Sequence, residues 1–266
     1  MRYPYRQAVT FLALVGLYLA GVAYAVHFAQ GPSSLALFWP SCGLALAVVV
    51  RYGLRWSLFV TIASLLDHLL RVHDSPLSAM FATAGDTLAV IAGAWIVLRK
   101  PLPAYAEFRS GFRMLLGGVV LSVTSAVIGT TGLFLAGTLP YPQLPDAMLR
   151  WAMGDLLGVT AVTPTLVLFA YRKTRHSGFD KSQEAALESE SLLWNIALLI
   201  SFLLMAWGAA TGGRYSLGLA SLPLAVMVWS ALRFDPLRTA VAVLLTVGLI
   251  ESFTGLGMPG FEPPVR

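Results

Sequence analysis

Four acidic residues lie inside long apolar stretches of the sequence, where a charge is costly. They are Asp67, Asp86, Asp155 and Glu251. Inserting an acidic side chain near the centre of a membrane span costs about 2.5 to 3.5 kcal/mol, so such residues usually face a polar cavity or a partner group. Carboxylates in that setting are suited to binding a cation, a proton or a polar ligand. We therefore predict that the four acids border an outward-opening polar cavity.

Asp86 is the strongest single candidate, because no basic residue lies near it in the sequence. We expect its carboxyl group to be either paired across helices or protonated. Asp67 and Arg71 are four residues apart, as are Asp146 and Arg150, and this is the spacing of side-chain pairs on a helix. These two pairs are predicted to be structural, and Arg71, Arg150 and His68 are the basic groups available to balance the acids.

Motifs for catalysis or metal binding are not found. The sequence contains no nucleophile motif, no phosphate-binding glycine loop and no dinucleotide-binding fingerprint. Asp67-His68 and His73-Asp74 flank a predicted outer loop, but no HxxxH or cysteine pair supports a metal site there. Cys42 is the single cysteine, which excludes an intrachain disulfide. We therefore expect no enzymatic activity, no metal and no other cofactor.

Nine apolar segments fill most of the 266 residues and must position these acids. A helix needs about 20 apolar residues to cross a bilayer core, and backbone exposed to lipid must satisfy its own hydrogen bonds. The sequence therefore predicts an all-α, polytopic transmembrane helix bundle with about nine spans, within a range of eight to ten. The predicted spans are residues 8–29, 35–51, 55–71, 77–98, 112–137, 148–170, 191–211, 217–232 and 236–255.

Positive charge is distributed unevenly between the gaps that separate these segments. Fourteen of the 18 Lys and Arg residues fall in the N-terminal segment and in every second gap after it. The positive-inside rule then places the N-terminus in the cytoplasm, and an odd number of spans leaves the C-terminus outside. The isoelectric point of about 9.6 thus reflects topology and contact with anionic membrane lipids. Because the basic residues are spread over short loops, we predict no nucleic-acid binding.

One long polar stretch, residues 171–190, divides the chain. We expect residues 1–266 to form a single integral-membrane domain in which 1–170 hold six spans, 171–190 a cytoplasmic loop and 191–266 three more spans. Residues 181–190 are interpreted either as a short surface helix or as a solvated linker. Docking of a partner protein to this loop is a further hypothesis.

Several short motifs follow one another along the chain. They are Phe38-Trp39-Pro40-Ser41-Cys42-Gly43-Leu44-Ala45, Ala84-Gly85-Asp86-Thr87-Leu88, Trp151-Ala152-Met153-Gly154-Asp155-Leu156-Leu157-Gly158 with Pro164, Ala231-Leu232-Arg233-Phe234 and Gly255-Leu256-Gly257-Met258-Pro259-Gly260-Phe261. Together they resemble the first type of membrane-associated sensor domain, of the MASE family, which is the integral-membrane input module of bacterial signalling proteins. The similarity spans roughly residues 35–261.

The resemblance implies which positions serve sensing or ligand binding. These are Trp39, Pro40, Gly43, Asp155, Pro164 and Arg233. Trp39-Pro40 is interpreted either as the broken entry to a ligand pocket or as an ordinary interfacial anchor. The chain departs from the family pattern at Asp86, where relatives often have asparagine. It also ends at Arg266, before the last span and the cytoplasmic output module of relatives, so a truncated or stand-alone sensor is expected.

By resemblance, the chain is expected to be a sensory input domain in the bacterial plasma (inner) membrane. It would bind a small ligand or a partner membrane protein and control a cytoplasmic output module such as a diguanylate cyclase, a phosphodiesterase or a histidine kinase. The alternative is transport of a small solute or cation through the predicted cavity. A third interpretation is a scaffold for another membrane protein, and homo-oligomers are compatible with each of these.

Overall fold

The computed structural model describes residues 4–28, 37–70, 75–99, 108–171, 181–211, 216–219, 221–258 and 261. Within these ranges all regular structure is helical, which confirms the all-α prediction. The helices are α1 Pro4–Phe28, α2 Pro40–Tyr52, α3 Ser57–Leu70, α4 Pro76–Leu98, α5 Phe108–Leu135, α6 Leu144–Tyr171, α7 Lys181–Thr211, α8 Ser216–Leu219, α9 Leu222–Arg233 and α10 Pro236–Gly255.

Six helices in the described part of the chain are long and apolar enough to cross a membrane: α1, α4, α5, α6, α7 and α10. The chain is thus a multi-pass membrane protein. Helices α2, α3 and α9 coincide with the other three predicted spans but have only 12 to 14 residues. At 1.5 Å per residue they reach about 18 to 21 Å, against a hydrocarbon core of about 30 Å. The predicted count of about nine spans is therefore not confirmed.

Helix α7 begins at Lys181 rather than at residue 191. Residues 181–190 are therefore helical backbone and not part of an irregular loop. The stretch Glu184-Ala185-Ala186-Leu187-Glu188 consists of strong helix formers, which explains why the helix extends beyond its apolar part. The rest of the predicted loop, residues 172–180, lies outside the described residues.

The chain divides into two compact units, Met1–Leu166 and Val167–Arg266. In the first unit the short helix α2 is the most buried element, since most of its residues are inaccessible to solvent. Pro40 occupies its first turn, where the missing N–H costs nothing. Gly53 ends it with φ of 96°, a conformation that favours glycine. The chain then passes through a 3₁₀ turn, Leu54–Trp56, directly into α3.

Helices α4 and α5 of the first unit pack closely through two glycines. A Cβ atom added to Gly93 would lie 2.6 Å from the carbonyl oxygen of Gly117, and one added to Gly117 would lie 2.7 Å from that of Gly93. Small residues at such crossings let helix backbones approach closely, which is the main source of packing energy between helices in lipid. The α4–α5 pair therefore forms a rigid support for the side chains that α4 carries.

The second unit is organised around tryptophan residues of α7 and α9. Trp194 is buried with Leu198, Met227 and Ala242, and its indole N–H donates to the carbonyl of Val226 at 2.9 Å. The ring of Phe234 packs edge-on against Trp194 at 5.8 Å between centroids. These contacts tie α9 to α7 and place the end of α9 beside the first part of α7.

Arg233 closes this contact with a bidentate ion pair. Its Nε donates to Oε1 of Glu190 at 2.9 Å and its Nη2 donates to Oε2 at 2.7 Å. The indole N–H of Trp229 donates to the same Oε1 at 2.9 Å. Planar guanidinium groups match a carboxylate in this fork geometry. Arg233, which family resemblance suggested as a signalling residue, thus fastens α9 to α7.

We expect Arg233→Gln to lower the thermal unfolding temperature of the detergent-solubilised protein, because Glu190 loses two charge-assisted hydrogen bonds. Tryptophan fluorescence can follow the unfolding, since Trp194 and Trp229 lie in this contact. The matched control is Arg150→Gln, which breaks an exposed ion pair with Asp146 and should have little effect. Equal shifts in the two variants would contradict a structural role for the Arg233 ion pair.

Candidate ligand site around Asp86 and Asp155

Asp155 is a buried carboxylate on α6, with 2% of its surface exposed. Its Oδ1 accepts a hydrogen bond from the Cys42 thiol at 3.0 Å. Its Oδ2 has no hydrogen-bond partner among the described residues. A thiol is a weak donor, and an unsatisfied buried oxygen costs about 1 to 3 kcal/mol. One carboxylate oxygen of Asp155 can therefore still accept a hydrogen bond inside the first unit.

Asp86 is a half-buried carboxylate on α4 with two hydroxyl donors. The Ser64 hydroxyl on α3 donates to Oδ2 at 2.7 Å, and the Tyr18 hydroxyl on α1 donates to the same oxygen at 3.2 Å. Among the described residues, no lysine or arginine forms an ion pair with either Asp86 or Asp155. Both carboxylates are thus held by neutral donors instead of by cations.

Tyr18 and α2 join the two carboxylates into one polar cluster. The Ser41 hydroxyl donates to the Tyr18 carbonyl at 2.7 Å, and the next residue, Cys42, contacts Asp155. The two carboxylates lie within electrostatic range of each other. We call this group of residues the Asp86–Asp155 cluster, comprising Tyr18, Cys42, Ser64, Asp86 and Asp155. It draws side chains from α1, α2, α3, α4 and α6.

The start of α2 is fixed to α6 by backbone contacts. The Trp39 N–H donates to the carbonyl of Gly154 at 3.1 Å. At Gly158 an added Cβ would collide with the Trp39 carbonyl oxygen, and at Gly43 it would collide with the Gly158 carbonyl oxygen. The Thr163 hydroxyl donates to the carbonyl of Gly43 at 2.8 Å. We call these contacts the α2–α6 clamp, and they place Cys42 opposite Asp155.

The other polar groups around Asp155 belong to α5 and α6. The Trp151 indole N–H donates to the Ser125 hydroxyl at 3.1 Å, and both side chains lie beside the carboxylate of Asp155. The ring of Trp151 rests on Gly129, where a Cβ would lie 2.6 Å from the ring. Glycine at that position therefore makes room for the indole.

A family model, MASE1, matches residues 8–261 of the chain. The chain belongs to the MASE1 family. MASE1 domains are membrane-associated sensory domains, the input domains of signalling proteins. The resemblance seen in the sequence motifs is thereby confirmed. No curated protein and no solved structure matches the chain.

In this MASE1 domain two of the family motifs, one on α2 and one on α6, meet in the α2–α6 clamp. Trp39, Pro40 and Gly43 supply the α2 side, and the stretch from Trp151 to Gly158 supplies the α6 side. Pro164 lies inside α6, where it cannot donate to the carbonyl four residues earlier. Trp39, Gly43 and Gly158 thus shape and hold the contact, while Asp155 brings an ionisable group beside it.

Asp67, the Asp146–Arg150 pair and Glu251 are not members of the Asp86–Asp155 cluster. Asp67 is half-buried on α3, within electrostatic range of Asp86, while its expected partner Arg71 lies outside the described residues. The Asp146–Arg150 pair is confirmed, with 2.7 Å between Oδ2 and Nε. Glu251 belongs to the second unit, where 9% of its surface is exposed and its Oε2 has no partner among the described residues.

Sequence reasoning missed Tyr18, Ser41 and Ser64 and did not predict that Cys42 contacts Asp155. Single hydroxyl residues within apolar helices carry no signal of their own, because many of them simply bond to their own helix backbone. The available clue was that a buried acid without a nearby cation needs donors from neighbouring helices. Within the described residues no group of three or more His, Cys, Asp or Glu side chains is arranged to hold a metal ion, and His73-Asp74 lies outside them.

We expect Gly158→Ala to destabilise the protein by about 1 to 3 kcal/mol, because the added methyl group forces α6 away from the Trp39 carbonyl. The matched control is Gly16→Ala in α1, where an added Cβ meets nothing within 4 Å and the higher helix propensity of alanine applies. Thermal unfolding in detergent measures both variants. If Gly158→Ala were as stable as the wild type, the close α2–α6 approach would be refuted.

Proposed function

We propose that this MASE1 domain senses a ligand or a membrane partner at the Asp86–Asp155 cluster and thereby controls the output module of a signalling protein. The observation that carries this proposal is the buried Oδ2 of Asp155, which has no partner among the described residues. A ligand that donates a hydrogen bond or brings a positive charge to this oxygen gains the interaction that the protein alone leaves unmade. Asp86 supplies a second carboxylate within electrostatic range.

Binding there would change helix packing because the cluster lies next to the α2–α6 clamp. Cys42 is a weak donor to Asp155 and is only three residues from Trp39, whose backbone is bonded to α6. A ligand that binds Oδ2 and draws the carboxylate toward itself stretches the weak Cys42 bond to Oδ1 and weakens the hold of α6 on the start of α2. A ligand shifts such an equilibrium only by its different affinity for the two packings, and the weakened Cys42 bond provides that difference.

In this proposal the domain performs no chemistry and needs no cofactor. Its described residues present carboxylates, hydroxyls and a thiol, but sensing at the Asp86–Asp155 cluster requires no nucleophile–base pair among them. The signal is the packing of the helix bundle, which a cytoplasmic output module reads.

Transport of a small cation is the second candidate. It is favoured by the half-buried position of Asp86 and by the absence of a paired lysine or arginine at either carboxylate among the described residues. Transport predicts flux of a labelled monovalent cation into proteoliposomes that contain the protein. Sensing predicts saturable stabilisation by a ligand without such flux.

We further propose that the domain lies in a bacterial inner membrane with its N-terminus in the cytoplasm and crosses it nine times, with α2, α3 and α9 as short spans. The distribution of Lys and Arg supports this orientation. Arg51 at the end of α2 and Arg55 in the 3₁₀ turn that follows place positive charge where α2 and α3 join, and this charge favours a cytoplasmic position for the junction.

Reporter fusions test this topology. Fusions after residues 104 and 180 should read cytoplasmic, whereas fusions after residues 74 and 266 should read extracytoplasmic. Arg109 and Arg172 are predicted to lie on the same face, so cysteines placed at these two positions in a Cys42→Ser background should be labelled from the same side. Labelling of the two from opposite sides would contradict the positive-inside assignment.

The sensing proposal is tested with the chain joined to a diguanylate cyclase through one added transmembrane helix. Asp86→Asn and Asp155→Asn should insert normally but change cyclase output by about fivefold or more, the usual lower range of coupling between sites. Asp146→Asn is the matched control, because Asp146 is an exposed acid outside the cluster and should leave output unchanged. Unaltered output from both cluster variants would reject the Asp86–Asp155 cluster as the signalling site.

A further inference from the structure

A second candidate site lies away from the Asp86–Asp155 cluster, in a groove between α1 and the turn that joins α2 to α3. The groove has a volume of about 390 Å³ and is lined by Gln7, Ala8, Phe11, Arg55, Trp56 and Leu58. The 3₁₀ turn that follows Gly53 brings Arg55 and Trp56 together beside α1. Volumes of this size are common for small-molecule sites.

The side chains beside the groove are of the types that gather at the level of lipid headgroups. The rings of Phe11 and Trp56 lie 6.3 Å apart between centroids, and those of Trp56 and Tyr52 lie 5.1 Å apart. The guanidinium of Arg51 stacks on Tyr52 at 5.4 Å from the ring centroid. Tryptophan, tyrosine and arginine gather at the boundary between hydrocarbon and headgroups because each has an apolar body and a polar tip.

The groove carries positive charge and no acidic lining residue. Arg55 is exposed, and none of the described acidic residues forms an ion pair with it. Its planar guanidinium can bind a phosphate through two parallel hydrogen bonds, and the amide of Gln7 adds a further donor. The chemistry of the groove therefore selects an anionic phosphate group.

An apolar stripe on α3 extends from the groove. Its presence favours a lipid over a free phosphate as the molecule that occupies the groove. Leu58 lines the groove, and Ile62, Leu65 and Leu69 follow at helical spacing along the same helix. All four are exposed, with 56%, 37%, 43% and 70% of their surface accessible. An acyl chain can lie along this stripe while its headgroup stays at Arg55, whereas a soluble phosphate has no use for it.

We propose that this groove binds one anionic phospholipid, with its phosphate at Arg55 and one acyl chain along the α3 stripe. Basic pockets between membrane helices recognise anionic headgroups by this combination of charge and depth. The proposal concerns a different set of residues from those of the sensing proposal, so either can fail without the other.

The test is native mass spectrometry of the full chain, released from detergent micelles that contain equal amounts of phosphatidylglycerol and phosphatidylcholine. The wild type should retain one phosphatidylglycerol in preference to phosphatidylcholine. Arg55→Gln should reduce this preference about fivefold, the share expected from one arginine near a membrane surface. Arg55→Lys keeps the charge but loses the two parallel hydrogen bonds, so its preference should lie between those of the wild type and Arg55→Gln.

Two controls make the result specific. Arg99→Gln removes an arginine that stacks on Trp95 and does not line the groove, so it should leave the lipid preference unchanged. Excess glycerol phosphate should not displace the retained lipid. The proposal is overturned if the wild type shows no preference, if Arg55→Gln has no effect, if Arg99→Gln has the same effect, or if glycerol phosphate displaces the lipid.

Discussion

The contact between the start of α2 and the middle of α6 is the constraint on which the rest of the first unit depends. In a membrane, apolar side chains gain little free energy when they exchange contact with lipid for contact with protein. Helices therefore associate through close packing and hydrogen bonds. Gly43 and Gly158 let the two backbones approach, and the Trp39 N–H and the Thr163 hydroxyl bond across the gap. This contact fixes Cys42 against Asp155 and encloses the carboxylate.

Helix α2 shows how this constraint acts on an element that is too short to span a bilayer alone. Its N-terminus is bonded to α6, its C-terminus is closed by Gly53, and most of its side chains are buried. A helix enclosed in this way need not be as long as the hydrocarbon core is thick, because protein rather than lipid surrounds it. Apart from Arg51 and Tyr52 at its end, its polar side chains are Ser41, which bonds to the Tyr18 carbonyl, and Cys42, which belongs to the Asp86–Asp155 cluster.

The sequence alone predicted the helices and the buried acids but not the donors that hold those acids. The apolar segments and the charge pattern predict each helix separately. The span that became α4, with Asp86 inside it, could therefore be predicted from the local sequence alone. The bonds from Tyr18 and Ser64 to Asp86 join helices far apart in sequence, and no local pattern encodes them. Glu190, the partner of Arg233, was missed as a partner because it was assigned to a loop that is in fact the first part of α7.

Asp86 and Asp155 differ in the hydrogen-bond donors that hold their carboxylates. In the proposed sensing function, this difference gives the two residues different roles. Asp86 already accepts two hydroxyl hydrogen bonds at Oδ2, so its carboxylate is partly satisfied by donors of ordinary strength before any ligand binds. Asp155 accepts a hydrogen bond from a thiol at Oδ1 and lies beside the Ser125 hydroxyl and the Trp151 indole, and its Oδ2 has no partner among the described residues. In the proposed sensing function, a new donor at Oδ2 therefore gains an interaction that the described residues leave unmade. Such a ligand would act on α2 because the thiol that holds the other oxygen of Asp155 belongs to that helix.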